Sequence, residues 1–235
     1  MVRIGNFFFH YRNGLFPLVY ILIFLNGPAA FTDHRLALLI GVLVASTGQT
    51  LRGVTVGLDY IVRGGRNRQV YADRLVQGGI FAHCRNPLYV GNYLILVGVG
   101  IGSNSLLFLA IGLPFFLFAY WGIIAAEEAF LRGKFGDTFT EYCGHVNRLL
   151  PNFSGLSQTL QGMHFNWRRL ISAEYGSAYI WMAAILIANL KNRWFGGGYD
   201  VHNTDIRLLW LSLILVSVAY VAARYFKKRG RLESN

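Results

Sequence analysis

Long runs of apolar residues constrain this chain more than any other feature of its sequence. Six apolar segments can be counted, and four of them approach the roughly 20 residues that a helix needs to cross a bilayer. They cover residues 15–31, 36–57, 89–102, 106–126, 175–190 and 206–226. Because the bilayer interior offers no water to backbone N–H and C=O groups, these segments are predicted to be helices. The sequence therefore predicts an all-α fold, a polytopic transmembrane helix bundle with cytoplasmic interfacial helices.

Basic residues flank these apolar segments. A net charge of +11 could indicate a nucleic-acid partner, but the Lys and Arg residues cluster at the ends of the apolar segments, where they contact membrane lipids and fix orientation. We therefore expect membrane lipids as partners and no nucleic acid. The basic connections lie between segments two and three (Arg63, Arg66 and Arg68 among others), between segments four and five, and after segment six. By the positive-inside rule these connections, both termini and the active site are predicted to be cytoplasmic.

The first and third segments each allow a second interpretation. Arg3 and Arg12 precede the first segment and small residues follow it, as in a cleavable signal peptide. We prefer a membrane helix, because the other apolar segments need a membrane in any case. The third segment is short and carries Gly91, Gly98, Gly100 and Gly102, so it either packs closely on neighbouring helices or is partly re-entrant.

Two polar stretches on the predicted cytoplasmic side could carry chemistry, residues 73–91 and 127–151. Glu127 and Glu128 close an otherwise uncharged span, and a carboxylate at a membrane boundary costs free energy unless it has a cationic or hydrogen-bonding partner. His83, Arg85 and Asn86 lie at the same predicted membrane face. Together these residues predict a mixed-charge cluster suited to a zwitterionic ligand.

Local signals predict how each polar stretch folds. Asn86 and Pro87 should close a turn and begin the third helix, because proline fits the first helical turn. That geometry would direct backbone N–H groups at an anionic group. In the second stretch Gly136 is a predicted helix stop, with one interfacial helix before it and another after it. Their apolar faces would be formed by Phe130, Leu131, Phe135, Phe139, Tyr142 and Val146.

Two other groups of polar residues need an interpretation. Cys84, Cys143, His83 and His145 are zinc-type ligands, but adjacent His and Cys chelate poorly and no Cys-x-x-Cys is present, so we predict no metal site. Gln49 and Arg52 lie in the second apolar segment. Packing or snorkelling is their default interpretation, and a place in a substrate cavity is the alternative.

The two polar stretches resemble the membrane methyltransferase family that includes isoprenylcysteine carboxyl methyltransferase and the phospholipid N-methyltransferases. The resemblance covers residues 73–151, which we take as a methyltransferase core between an N-terminal part, 1–72, and a C-terminal part, 152–235. It rests on Leu75-Val76, Gly79-Ile80-Phe81, Arg85 to Gly91, Glu127-Glu128, Leu131, Phe135-Gly136, Tyr142, Arg148 and Pro151.

The resemblance implies that S-adenosylmethionine is the cofactor and that a lipid or lipid-linked molecule accepts the methyl group. Arg85 and Glu127 are expected to hold the cofactor. If the acceptor is an ammonium it must first lose a proton, and Glu128 or His83 is then the expected base. Arg85, Glu128 and His83 are thus the expected catalytic residues. The cofactor contacts carried over from the family are Asp73, Arg74, Leu75, Val76, Phe81, Asn86, Pro87, Leu88, Tyr89 and Glu127.

One departure from the family concerns the acceptor. The prenylcysteine enzymes have an arginine one helical turn before the Glu pair, where this chain has Ile123. A carboxylate acceptor in a low-dielectric cavity needs a cationic or strongly donating partner. An amine, thiol or hydroxyl on a lipid therefore fits at least as well, although Arg52 or Arg85 could substitute for the missing arginine.

Two other function classes compete with methyl transfer. Sterol-type membrane reductases that use NADPH resemble this architecture and carry a related Asn-Pro and Tyr-Gly stretch, but the Glu pair and the Phe135-Gly136 spacing favour the methyltransferase. A channel or transporter would have symmetric halves and charged residues near mid-membrane. The sequence shows neither feature, and it indicates nothing about oligomeric state.

Overall fold

The computed structural model describes residues 1–58, 70–196, 200 and 202–232. Within these residues the chain forms α-helices and short helical turns, and the only strand-type contact is an isolated bridge between Ala29 and Ser105. The all-α prediction is therefore confirmed. The helices are α1 (Val2–Tyr20), α2 (His34–Leu58), α3 (Pro87–Gly102), α4 (Leu113–His145), α5 (Leu156–Gln161), α6 (Trp167–Phe195) and α7 (Thr204–Lys228). Arg63, Arg66 and Arg68 of the basic connection lie outside the described residues.

Four of these helices are long and apolar enough to cross a membrane. They are α2, α4 with the π-helical turn Phe108–Gly112 before it, α6 and α7. Helix α3 is apolar but has only 16 residues. As predicted, its first residue is Pro87, and Asn86 precedes it in a non-helical conformation.

Two predicted segments have the wrong bounds. The first helix begins at Val2 instead of residue 15, and after Tyr20 only the 3-10 turn Ile21–Ile23 continues it, so residues 24–31 are not helical. Its first half is helical because Phe8 and Phe9 are buried against α4, which the apolar run alone did not indicate. Helix α6 is much longer than residues 175–190, because the Asn166 side chain caps it by accepting a hydrogen bond from the Arg169 N–H at 2.9 Å.

Helices α2 and α3 pack backbone against backbone, which confirms the close-packing interpretation of the glycine-rich third segment. A Cβ atom added at Gly98 would lie 2.6 Å from the Gly41 carbonyl oxygen and 2.7 Å from the Ala45 Cβ. One added at Gly48 would lie 2.5 Å from the Gly91 carbonyl oxygen. Small residues at such crossings let two membrane helices approach more closely than side chains would allow.

Helix α1 packs against α4 in the same manner. Gly5 meets the backbone of Gly122, and a Cβ on Gly5 would also lie 2.9 Å from the Ala126 Cβ. Phe8 and the fully buried Ile123 belong to one apolar cluster between these helices. This contact holds α1 beside the part of α4 that leads into the Glu pair.

The helix ends fall on two opposite faces of the bundle. On one face the Asn166 N–H donates to the Gly57 carbonyl at 2.8 Å, so the end of α2 meets the start of α6. On the other face the Asn192 side chain donates to the Ser103 carbonyl at 3.0 Å, so the end of α6 meets the end of α3. The first face carries both polar stretches. Its assignment to the cytoplasm stays a prediction.

The predicted interfacial helices take a different form from the expected one. Helix α4 continues through Phe130 and Phe135 without stopping, and the break comes at Gly136, whose φ of 54° and ψ of −125° are not helical. Residues 130–135 are therefore an extension of α4 instead of a separate helix. Residues 137–145 form a short arm beyond the break. Because L-residues rarely adopt this positive φ, glycine at position 136 sets the direction of the arm.

Candidate active site

The two polar stretches meet around Glu128. One of its oxygens, Oε1, lies 3.1 Å from Arg85 Nη1 and accepts a hydrogen bond from Arg148 Nε at 3.1 Å. Arg148 Nη2 also donates to the other oxygen, Oε2. The carboxylate is nearly buried, with 11% of its side chain exposed. Two guanidinium groups thus compensate the charge of one nearly buried acid.

Backbone contacts fix the segment that follows the short arm against the first polar stretch. The Arg85 N–H donates to the Asn147 carbonyl at 2.9 Å, and the Asn86 side chain donates to the Arg148 carbonyl at 3.1 Å. The Asn152 N–H donates to the His83 carbonyl at 2.9 Å. Because these bonds lie on both sides of Arg85, its side chain is held in place beside Glu128.

Glu127 has different surroundings from its neighbour. Its Oε1 accepts a hydrogen bond from the Tyr89 hydroxyl at 2.8 Å, which links the first turn of α3 to α4. Tyr89 is buried in the apolar cluster that also contains Ile123. The two adjacent acids therefore have separate partners, an ion-pair network for Glu128 and a phenol for Glu127.

Arg85 has a buried donor atom without a partner among the described residues. Its Nη1 contacts Glu128 and the Cys143 sulfur, the latter at 2.7 Å, and its side chain is 14% exposed. Its Nε is buried and has no hydrogen-bond partner among the described residues. An unsatisfied buried donor is costly. A ligand carboxylate that accepted a bond from this atom would remove that cost.

A cavity of about 570 Å³ lies between α1 and α4 beside the Glu pair. On α4 its lining residues immediately flank Glu127 and Glu128 in sequence. The walls are formed by Val2, Asn6, Phe9, Val70, Ala126, Ala129 and Phe130. The residues that line this cavity do not include Glu127 or Glu128 themselves.

His83 contacts the segment after Arg148 and helix α5. Its Nδ1 lies 2.7 Å from the Asn152 carbonyl oxygen and its Nε2 lies 2.8 Å from the Thr159 hydroxyl. Both ring nitrogens are thereby engaged. These contacts connect the first polar stretch to α5, so the side chain has a structural function here.

The predicted cofactor stretch 73–76 runs beside the short arm. Asp73 and Arg74 are exposed, and the Asp73 carboxylate accepts a hydrogen bond from the Tyr71 hydroxyl. Leu75 packs on the cluster of Phe139 and Tyr142, and Val76 is half-buried. The geometry therefore leaves Asp73 and Arg74 as the accessible members of this stretch.

The remaining predicted contact residues lie between that stretch and the Glu pair. Phe81 is fully buried, and its carbonyl accepts a hydrogen bond from the Tyr142 hydroxyl at 2.6 Å. Pro87 is also fully buried, whereas Leu88 is half-buried. The polar groups of Asn86 and Tyr89 are already engaged, with Arg148 and Glu127 respectively. Phe81 and Pro87 therefore belong to the buried interior next to the site.

A second buried ion pair was not predicted at all. Glu174 in α6 accepts from Arg52 Nη2 at 2.6 Å and Arg52 Nε at 2.8 Å, and Gln49 Nε2 donates to the same carboxylate at 2.8 Å. Arg52 Nη1 also donates to Asn92 of α3 at 2.5 Å. Glu174 lies beyond the stretch that resembles the methyltransferases. The sequence does hint at this pair, because Glu174 directly precedes the apolar segment 175–190. An acid at that place needs a partner.

The central part of the chain is similar to a known protein family. Residues 36–138 match the model of a family described as phospholipid methyltransferase, over α2, α3 and most of α4. The resemblance to membrane methyltransferases is confirmed. The matched segment ends before Arg148 and before α6, so the second cation on Glu128 and the acid Glu174 lie outside it. Together with the four long apolar helices, this family indicates an integral membrane protein.

Two bacterial relatives align with part of the chain. A cobalt-zinc-cadmium resistance protein, CzcN, from Cupriavidus metallidurans is 35% identical over 80 residues. A nickel-cobalt-cadmium resistance protein, NccN, from Alcaligenes xylosoxydans xylosoxydans is 32% identical over 80 residues. Each alignment covers 34% of this chain and 37% of the relative, so the chain spans little more than a third of the length of the relatives it matches. No solved structure matches.

Within the described residues, no three His, Cys, Asp or Glu side chains lie close enough together to hold a metal ion.

Proposed function

We propose that this protein is an integral-membrane methyltransferase that uses S-adenosylmethionine and methylates a lipid or lipid-linked acceptor at the cytoplasmic face. The observation that carries the proposal is the meeting of Arg85 and Glu128 from two separate polar stretches, with Glu127 beside them. The match of residues 36–138 to the phospholipid methyltransferase family supports it. The membrane helices supply the apolar surroundings that such an acceptor needs.

The residues of the site fit the cofactor. S-adenosylmethionine would supply an electrophilic sulfonium methyl group and leave as a neutral thioether. Arg85 would donate from its buried Nε to the cofactor carboxylate, since a guanidinium bonded to a carboxylate is among the strongest hydrogen-bonded pairs in proteins. Glu127 would accept from the ammonium or a ribose hydroxyl. Asp73 and Arg74 are the accessible polar groups nearby for the rest of the molecule.

Glu128 we assign as a positioning residue. Both of its oxygens already accept from guanidinium groups, and its ion pair with Arg85 fixes the direction in which the Arg85 Nε points. Neither Glu128 nor His83 is therefore our choice for a base. The chain contributes by aligning donor and acceptor and by excluding water, and alignment alone is worth roughly 7–11 kcal/mol of a reaction barrier.

The surroundings of Ile123 bear on the acceptor. Ile123 is fully buried, in an apolar cluster with Phe8, Phe9 and Tyr89. An acceptor carboxylate placed there would lack a charged partner. We therefore propose an acceptor whose reactive atom is an amine, thiol or hydroxyl and whose hydrocarbon chain lies in the bilayer.

The experiment uses the full-length protein in lipid nanodiscs with methyl-labelled S-adenosylmethionine. The wild type should transfer label to the lipid fraction and should bind the cofactor in calorimetry. Arg85→Ala should weaken cofactor binding by about 10–150-fold, the range expected for a lost hydrogen bond to a charged group. Arg132→Gln removes an exposed arginine of α4 and should leave binding unchanged.

Three results would contradict the proposal. The first is a wild type that neither binds the cofactor nor transfers label. The second is an Arg85→Ala variant that binds the cofactor as tightly as Arg132→Gln does. The third is a rise in melting temperature with NADPH but not with S-adenosylmethionine, because only a bound ligand stabilises by mass action. That result would favour the sterol-type reductase.

A further inference from the structure

A second cavity, of about 660 Å³, lies between α2, α6 and α7. Two of these three helices lie outside the segment that matches the methyltransferase family. The cavity follows α6 from Trp167 to Met182, which is about 22 Å of helix at 1.5 Å per residue. Its size is within the range of ligand sites, about 300–1,000 Å³. Its walls carry five aromatic residues, namely Phe165, Trp167, Tyr175, Tyr179 and Tyr220.

The polar groups in the wall are engaged with one another. The Glu174 carboxylate binds Arg52 and Gln49, and the Gln49 side-chain oxygen accepts a hydrogen bond from Trp181 Nε1 at 3.1 Å. Glu174 is only 5% exposed. Since these groups already have partners, the interior favours a ligand that needs no hydrogen bonds. Hydrocarbon meets that condition.

One end of the cavity is positively charged. Arg224 Nη1 donates to the Tyr220 hydroxyl at 3.0 Å, and Lys227 Nζ lies 5.3 Å from the centre of the Tyr175 ring. Both tyrosines line the cavity, so both cations contact its wall. Among the described residues, neither cation is paired with a carboxylate. Arg168, next to the lining residue Trp167, is also exposed at this end.

We propose that this cavity binds an anionic phospholipid, with an acyl chain between α2, α6 and α7 and its phosphate at Arg224 and Lys227. Basic pockets between membrane helices are a known form of anionic lipid recognition. Tyrosine and tryptophan at the charged end suit the boundary between hydrocarbon and head group. This proposal does not depend on methyl transfer, because it uses none of the residues around Glu128.

The test measures lipids retained by the full-length protein. The protein is placed in nanodiscs of equal parts phosphatidylglycerol and phosphatidylcholine, transferred to detergent, and analysed by native mass spectrometry. The wild type should retain one phosphatidylglycerol in preference to phosphatidylcholine. Arg224→Gln and Lys227→Gln should each weaken retention about fivefold, in line with the contribution of one basic residue near an anionic lipid surface.

A matched pair of variants tests the acyl-chain position. Ala219 lines the cavity, whereas the adjacent Val218 is 61% exposed on another face of α7. Ala219→Phe should abolish retention and Val218→Phe should not. Equal retention by these two variants, or equal retention of the two lipids by the wild type, would overturn the proposal. The two cation variants lie at the exposed end of α7, so they remain informative if Ala219→Phe does not fold.

Discussion

Replacing Gly98 by alanine tests whether direct backbone contact between α2 and α3 holds this bundle together. The added Cβ would lie 2.6 Å from the Gly41 carbonyl oxygen and closer still to the Ala45 backbone nitrogen. Ordinary contact begins at 3.4 Å, so the helices would have to separate by at least about 0.8 Å. A gap of that size forfeits a quarter to a half of the dispersion energy of the atoms it separates. With the usual cost of overpacking, we expect a loss of about 1–3 kcal/mol in the free energy of unfolding.

The assay for this variant is thermal unfolding in detergent. At about 2–4 °C per kcal/mol for a protein of 150–250 residues, the melting temperature should fall by about 2–12 °C. Gly176→Ala is the matched control, because Gly176 also lies inside a membrane helix but no atom lies within 4 Å of its added Cβ. That variant should be unchanged or about 1 kcal/mol more stable. If Gly98→Ala melts at or above the temperature of Gly176→Ala, the two helices do not depend on this contact.

Three further changes test other parts of the structure. Gly136→Ala places a side chain on a residue with positive φ and should lower the free energy of unfolding by about 1–2 kcal/mol, measured as a lower melting temperature. An unchanged melting temperature would mean that the short arm is free to reorient. Glu174→Ala leaves Arg52 without its buried partner and should cost about 3–5 kcal/mol in denaturant unfolding; a cost below 1 kcal/mol would contradict the geometry of this pair. Tyr89→Phe removes the hydroxyl that donates to Glu127. It should weaken S-adenosylmethionine binding in calorimetry about 2–12-fold, which corresponds to about 0.5–1.5 kcal/mol. Tighter binding would contradict the assignment of Glu127 as a group that contacts the cofactor.

The existence of the helices could be predicted from the sequence, but several of their bounds could not. Pro87 marked the start of α3 correctly because proline acts locally, through its own backbone. The start of α1 depends on Phe8 and Phe9 packing against α4, which is a tertiary contact that an apolar run does not indicate. Gly136 marked the break in α4 correctly, yet the helix before it extends well past the apolar segment.

The candidate site was predictable to a similar extent. Charge alone predicted that Arg85 would meet the Glu pair, because a buried acid needs a cation. The sequence did not show which acid would take the cation, nor that Arg148 would supply a second one from 20 residues further along the chain. His83 was chosen for its chemistry, and the structure places it in a hydrogen-bonded connection with Thr159. The identity of a residue predicts what it can do, whereas its partners depend on the fold.

The close contact between α2 and α3 also limits how the bundle can open. The space between α2 and α3 at Gly41 and Gly98 is too small for a side chain, so we expect these two helices to move together. Any motion that admits a large ligand must then come from the helices packed around this pair. The cavity beside the Glu pair is lined by residues of α1 and α4 and by Val70. We therefore expect α1 to move away from the cavity when a ligand enters, while α2 and α3 keep their positions relative to each other.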